Sequence, residues 1–372
     1  MRRVYNTGTL CHFPAMPHSP VRVLHIVNSL GLGGTEKTMQ LLVAHLDRSR
    51  FQPAVFCPQD GPRAEQIRKL GVKTHIDSDL LTVLQRLKPA IVHIHRAGWP
   101  ETHTLRTLRL ARVPVVVETN VFGRHDPSAS ARVIDHTLFV SRFCLDRFSQ
   151  ETGIRVNPRR HSVLCNPVDT DTLAAASPPE RDFSTPSAAR ISRADPGKWS
   201  RLALDFVPEV VRAVPDFRYH IVGGIPEAVD FARDNNLAQH MIFHPPLASD
   251  VDIAAFLAPV SLLAHANDTG ESFGLVIAEA MACGLPVVTH PCPGSRDNAQ
   301  LELVEHGVTG LVARDAAEYA QAVIHLLTHP AEARRMGRAG RDKAAALFRA
   351  QTVTARLEAL YLELLARKGI QS

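Results

Sequence analysis

The sequence predicts an α/β protein of two similar halves, each a parallel sheet covered by helices on both faces, with a cleft between them. Three observations predict it. Short apolar runs of strand length alternate with segments of helical period along almost the whole chain, the pattern of parallel strands joined by crossovers. The alternation is interrupted by an Ala/Ser/Pro-rich stretch at 174–189 and then begins again. At 372 residues the chain also exceeds what one hydrophobic core usually holds.

Residues 1–20 contain no continuous apolar run, which argues against a secretory signal; they read as a disordered lead or an over-extended start. The first unit, 21–170, opens with the apolar strand 21–27, the loop Gly31-Leu32-Gly33-Gly34-Thr35-Glu36 and a helix over 38–46. Strand, glycine loop and helix make an anion cradle, because free backbone N–H groups at a helix start point into the turn. A plain tight turn uses the same glycines, and Glu36 stands where a dinucleotide fingerprint would have its third glycine. Further strands are predicted at 53–57, 72–76, 91–95, 113–117 and 137–140, with helices at 63–70 and 80–87. Ligands on such sheets bind outside the carboxyl ends of strands, which puts Gly33, His95, Glu118 and Ser141 at the rim, with Asn120 close by. His93 and His95 share one face of their strand, but no third ligand follows at metal-site spacing. One of the two is therefore assigned to the sheet interior and His95, at the tip, to the cleft; no metal is expected.

Residues 171–189 read as a linker. Asp169-Thr170-Asp171, formally a metal-binding DxD, lies beside it and reads as a turn. The second unit, 190–346, repeats the alternation, with helices at 202–214, 227–235 and 248–257 and strands at 217–222, 241–244 and 260–264. Gly223-Gly224 ends the first of these strands. Arg193 and Lys198 share a Pro-Gly turn, where two cations either clamp a diphosphate or are simply solvated.

The stretch 268–290, DTGESFGLVIAEAMACGLPVVTH, concentrates the chemistry. Residues 274–282 are apolar on every face, Gly284 and Pro286 stop the helix, and a buried strand follows. Glu279 lies inside that helix, where a carboxylate is costly unless it is hydrogen-bonded, and no Lys or Arg stands nearby in sequence. A distant residue or a ligand must complete it. Glu271 precedes the helix, whose start offers free N–H groups to an anion. Acceptor-only carboxylates beside a phosphate seat suit a nucleotide sugar, whose hydroxyls need acceptors and whose diphosphate needs donors. The bland alternative is a core acid paired across the protein. Beyond it come a turn at 302–310, a strand at 311–313, and helices at 316–327, 330–347 and 352–365, the last within a C-terminal segment, 347–372.

Composition sets outer bounds. Six cysteines are scattered without a CxxC, which favours reduced thiols and a cytoplasmic location. Apolar runs are too short for a membrane span. Residues 1–170 carry 23 Lys and Arg against 13 Asp and Glu, while the remainder carries 19 against 24. A basic first half suits an anionic partner such as a lipid-linked glycan or an anionic membrane face, or it is an ordinary solvated surface.

The ordered set Gly33-Gly34-Thr35-Glu36, Asn166-Pro167-Val168-Asp169, Arg193 with Lys198, Gly223-Gly224, Glu271-Ser272-Phe273-Gly274 with Glu279, Gly284-Leu285-Pro286 and Gly307-Val308-Thr309-Gly310 resembles the group 1 (family 4) retaining glycosyltransferases. The resemblance covers roughly 21–365 and is most specific in the second half. It implies a GT-B fold of two Rossmann-like domains, an acceptor side at 21–170 and a nucleotide-sugar side at 190–346, with the C-terminal helix crossing back onto the first. It further implies that Glu271 holds donor-sugar hydroxyls, Glu279 the ribose, and Arg193 and Lys198 the diphosphate. Ser272, Phe273 and Gly274 would lend backbone N–H groups, Gly33 and Gly34 would let their loop approach the sugar, Gly223 belongs to the same donor side, and Pro246 falls where relatives hold the nucleobase. Ser192 and Trp199 replace two glycines expected around the cationic pair, which implies a stiffer loop. Many relatives have a His where Glu118-Thr119-Asn120 stands, so no base is assigned; His95, Glu118 and Asn120 are the acceptor-side candidates.

The expected activity is transfer of a sugar from a nucleoside-diphosphate sugar to a hydroxyl of a glycan or lipid-linked acceptor, in cell-envelope polysaccharide or glycolipid synthesis. No cofactor, metal or nucleic acid is expected, and the location is cytoplasmic, with peripheral contact at the inner membrane face. A nucleotide-sugar epimerase of the same fold and a non-catalytic nucleotide-sugar-binding protein are the rivals.

Overall fold

The computed structural model describes residues 19–76 and 78–370. Most of the lead assigned to 1–20 lies outside them. The first part of the chain runs β1 (Val21–Ile26), α1 (Gly34–His45), β2 (Phe51–Cys57), α2 (Arg63–Lys69), β3 (Lys73–Ile76), α3 (Leu80–Leu87), β4 (Ile91–Arg96), α4 (Thr102–Leu110), β5 (Val115–Asn120), β6 (His136–Phe139), α5 (Arg142–Thr152) and β7 (His161–Val163). After α6 (Thr170–Ala176) come β8 (Ser187–Ile191), α7 (Leu202–Asp205), α8 (Val207–Ala213), β9 (Arg218–Val222), α9 (Pro226–Asp234), β10 (Met241–His244), α10 (Asp250–Leu257) and β11 (Leu262–Ala264). The chain ends with α11 (Leu275–Ala282), β12 (Val287–Thr289), α12 (Gln300–Leu303), β13 (Gly310–Val312), α13 (Ala316–Thr328), α14 (Pro330–Leu347) and α15 (Ala350–Arg367).

Two sheets result, ordered β3-β2-β1-β4-β5-β6-β7 and β10-β9-β8-β11-β12-β13, and their strand pairs are parallel. The predicted fold class is the observed one. The order reverses between β1 and β4 in one sheet and between β8 and β11 in the other, so crossovers leave opposite faces there and open a crevice at the strand ends. The Gly33 loop, His95, Arg193 and His265 all follow or end one of those four strands. Local chemistry starts and stops the helices as capping requires: Ser249 and Asp252 form a capping box at α10, Ser141 caps α5, and Gly153 at φ 67° ends it.

The stretch read as a linker is firmer than its composition suggests. Asp169, from the DxD triplet read as a turn, caps α6 by accepting from the Thr172 N–H, while Asp171 pairs with Arg349. Arg181 is buried and donates to the carbonyls of Ala258 (3.0 Å), Val260 (3.2 Å) and Cys283 (2.8 Å), and β8 already begins at Ser187. An Ala/Ser/Pro composition does not reveal that one arginine ties the segment down. Helices α4, α5 and α6 and strand β7 have no counterpart in the sequence reading, and the predicted helix at 202–214 is divided at Phe206 into α7 and α8.

The chain crosses between the two units twice, side by side: the Val168 N–H donates to Phe348 O (2.7 Å) and the Ala350 N–H to Val168 O (3.0 Å). From there α15 returns to the first sheet, burying Val353, Leu357, Tyr361 and Leu364 with Val21, Val23 and Phe51. Among the described residues no helix is long and apolar enough to cross a membrane.

Candidate functional site between the two sheets

The crevice between the units is a cavity of ≈ 920 Å³ lined from both sides. Its walls include Gly33, Gly34, His95, Arg193, Lys198, Gly223, Pro246, Glu271, Ser272, Phe273, Gly274 and Glu279. Twelve of the fourteen residues predicted for the site thus meet in one place; Glu118 and Asn120 do not.

Glu271 is the best-defined group in it. Its Oε1 accepts from Asn267 Nδ2 at 2.6 Å and lies 3.3 Å from His265 Nε2 and 3.4 Å from Lys198 Nζ. Burial pushes the Glu271 carboxyl up, but the hydrogen bond to His265, the charge of Lys198 and the Asn267 amide outweigh it and hold the group down at about 2. It is an ionised acceptor at any ordinary pH. Its own N–H donates to Gln300 Oε1 (3.1 Å) and its carbonyl accepts from the Ala299 N–H (2.9 Å), so the loop is fixed before any ligand arrives. The sequence reading missed His265, Asn267 and Gln300. The signal for the first two was present: His265 comes directly after the run at 260–264 and Asn267 two positions later, at a strand end.

The cationic loop is stiff, as the two glycine replacements imply. Trp199 is buried, donates its indole N–H to Gly223 O (3.0 Å), and is stacked by Arg190, whose guanidinium carbon lies 4.3 Å from the ring centroid. Arg190, fully buried, also donates to Ala266 O (2.6 Å) and to the Lys198 carbonyl. Lys198 is therefore held by its backbone with its ammonium toward Glu271. Arg193 is exposed and 3.8 Å from Asp195, free to swing. Gly223, at φ 79°, has no room for a Cβ, which would meet Ser192 O at 2.0 Å. Phe273 contributes backbone only; its ring packs edge-on against Phe348 in the core.

Gly274, at φ 104°, begins α11, so the free N–H groups of its first turn face the cavity beside Glu271. Glu279, on the same helix, is 3% exposed. Its partner is Lys37 of α1, across the cleft, with Nζ 2.5 Å from Oε1. Lys37 also pairs with Asp250 at the start of α10. A distant residue therefore supplies part of what the sequence left to a residue or a ligand, and it comes from the opposite unit. Burial pushes the Lys37 ammonium down, but Glu279 and Asp250 more than reverse this and raise it.

The acceptor-side candidates divide. Glu118 is buried in a structural network, accepting from Arg96 Nε (2.7 Å) and Thr137 Oγ1 (2.9 Å), while Arg96 also holds Asp126 (2.9 Å). Asn120 accepts from the Gly123 N–H (2.9 Å) and donates to Arg124 O (2.7 Å), pinning a turn. Both are corrected to structural residues: the pleat of β5 sends their side chains away from the crevice, and Thr119 between them lines it. His95 does line the cavity, yet it is 3% exposed.

His95 belongs to a buried stack with His93 and with His25 of β1, which the register sets beside His93. Sequence spacing could not show this third imidazole. One ring nitrogen from each of the three lies within 4.8 Å of those of the other two. His25 Nδ1 is 3.0 Å from His95 Nε2, and both nitrogens of His93 are engaged, by Tyr361 Oη (2.6 Å) and Thr119 Oγ1 (2.7 Å). Burial lowers all three, His95 to about 3, so the rings are neutral. The arrangement is a hydrogen-bonded stack of neutral imidazoles that joins the cleft wall to α15.

Comparison with known proteins agrees with this geometry. Residues 186–329 match the model "Glycosyl transferases group 1" and residues 32–172 the model "Glycosyltransferase Family 4". A GDP-mannose-dependent alpha-(1-6)-phosphatidylinositol monomannoside mannosyltransferase of Mycolicibacterium smegmatis is 31% identical over 293 residues, 73% of this chain and 69% of that protein. An N-acetyl-alpha-D-glucosaminyl L-malate synthase of Bacillus anthracis is 30% identical over 155 residues, 40% of this chain and 38% of that protein. Among solved structures, Anabaena Alr3699/HepE in complex with UDP and glucose superposes with a TM-score of 0.75 at 18% identity, covering 92% of this chain and all of that one. A glycosyltransferase from Rickettsia africae superposes at 0.77 and 15% identity, covering 94% and 99%. Two family models that span both sheets, one relative matched over most of its length and a shared architecture converge: the chain belongs to the group 1, family 4 glycosyltransferases of GT-B fold.

Proposed function

We propose that the enzyme moves a sugar from a nucleoside-diphosphate sugar to a hydroxyl acceptor with retention at the anomeric carbon. The observation that carries this reading is the ionised Glu271, fixed by His265 and Asn267 beside Lys198 and the start of α11. An ionised carboxylate only accepts hydrogen bonds, so it selects the hydroxyls of a sugar. Lys198, Arg193 and the α11 N–H groups supply donors and charge to the diphosphate as it departs, in place of a metal. The bond from the anomeric carbon to the diphosphate oxygen breaks, the acceptor oxygen bonds to that carbon on the same face, and the acceptor proton passes to the departing phosphate. The acceptor enters over the Gly33 loop, and closure of the units keeps water out.

The relatives named above act on a phosphatidylinositol glycolipid or form a malate glycoside, acceptors that carry a phosphate or carboxylates. Together with the basic first half, this supports a lipid-linked envelope acceptor and work in the cytoplasm at the inner membrane face. The experiment is incubation with labelled UDP- and GDP-sugars and a panel of acceptors. Release of nucleotide with a glycosylated product is expected; an isomerised donor, or tight binding without turnover on every acceptor, would sink the proposal.

A further inference from the structure

We propose that Lys37 is a positioning residue that makes the donor site complete only when the two units close. Four features of its surroundings carry this. Lys37 lies in the first turn of α1, where the helix dipole disfavours a cation, so its placement is not explained by the helix it belongs to. Its ammonium meets Glu279 and Asp250, both from the opposite unit, and these are the only charged side chains within ion-pair distance of it among the described residues. All three are largely buried, with side chains 15%, 4% and 14% exposed. Glu279 lines the cavity where the ribose would lie, so a contact to Glu279 is a contact to the donor site.

The physics sets the direction. With the units apart, Lys37 is hydrated and separate from the two acids, which stay neighbours on their own unit. Bringing them together removes that water, a cost repaid only if the charges meet in good geometry. Without Lys37, closure would bury two neighbouring carboxylates of one unit with no cation to offset their lost hydration, which disfavours the closed arrangement. With Lys37 in place, Glu279 Oε1 is occupied and its orientation is fixed, leaving Oε2 for a ribose hydroxyl. Arg63, buried on α2 and bonded to Gln40 (2.7 Å), adds positive charge nearby, and Glu36 adds negative. Neither of them touches the acids, so neither replaces Lys37. Ribose binding and closure thus favour each other through one side chain.

This inference rests on the reading that the cavity binds a nucleotide sugar at Glu279, and the experiment separates the two. The full-length chain is compared as wild type, Lys37→Met, and the double variant Lys37→Met with Asp250→Asn. Donor kcat/KM should fall at least about tenfold in Lys37→Met. The double variant, which removes one charge of each sign, should relieve the excess negative charge and recover part of that loss, while the part due to the missing Glu279 contact stays. X-ray scattering with a nucleoside diphosphate added should show Lys37→Met less compact than wild type. Unchanged kinetics in Lys37→Met overturn the inference. So does a double variant with no gain over the single one in either compactness or kcat/KM, since excess negative charge would then not be what opposes closure. On the wild-type protein alone, a 2′,3′-dideoxynucleoside diphosphate should compact the chain less than its ribose parent; equal compaction would break the link through Glu279. A wild type that binds no nucleotide sugar would instead defeat the donor-site reading.

Discussion

Lys198 and Glu271 are held in place by different means, and substitution should separate what each does. The backbone around Lys198 is fixed by Arg190 and Trp199, so truncating its side chain removes charge without loosening the loop. Lys198→Ala should leave a folded protein, with thermal midpoint within a few degrees of wild type, and lower donor turnover by about a hundredfold or more. A variant that turns over normally would remove the diphosphate clamp. At this scale local spacing joined Glu271 to Gly274, whereas Lys198, 73 positions before Glu271, was linked to them only by the resemblance; all three line one cavity. The sequence was silent where folding brings distant residues together. Lys37 and Glu279 are 242 positions apart, and no local pattern marks them as partners.

Strands β1 and β4 illustrate what a whole element conceals. Their apolar alternation located both, but their register sets His25 beside His93 and stacks three neutral imidazoles inside the protein. In an unfolded chain each would titrate near 6.5, whereas in the folded protein all three lie lower, His95 at about 3. The unfolded state therefore binds more protons below pH 6.5, so stability is fully present above that value and falls as pH drops toward the folded values. Each of the three adds a slope of about 1.4 kcal/mol per pH unit across that window. Urea midpoints at pH 7, 6 and 5 should decline accordingly, and a flat profile would show that the rings are charged or exposed. Glu118 and Asn120 failed as cleft candidates for a related reason. The end of β5 was legible, but the phase of its pleat was not, and a one-residue shift decides which side chains reach the crevice.

At the scale of the molecule, a small part of the uneven charge stands on and just after one exposed helix. Among the described residues, α4 buries Leu105 and Leu108 and exposes Arg106 and Arg109 together with Leu110, which is 73% exposed, and Arg112, just past the helix, is exposed as well. An apolar residue standing among arginines suits the boundary between lipid headgroups and water. Among the described residues no helix is long and apolar enough to cross a membrane. Each arginine near an anionic bilayer contributes about 1 kcal/mol, and removing three should weaken vesicle binding by about a hundredfold. The wild-type chain is expected to pellet with phosphatidylglycerol-rich vesicles at about 0.1 M salt and to release at about 0.5 M, where the screening length is halved. Arg106→Ser, Arg109→Ser and Arg112→Ser combined should stay in solution while keeping full donor turnover toward a soluble acceptor, because none of the three lines the cleft. If that triple variant pelleted as well as the wild type, the basic first half would be solvent-facing charge without a membrane role, and the lipid-linked acceptor would have to be delivered by another surface.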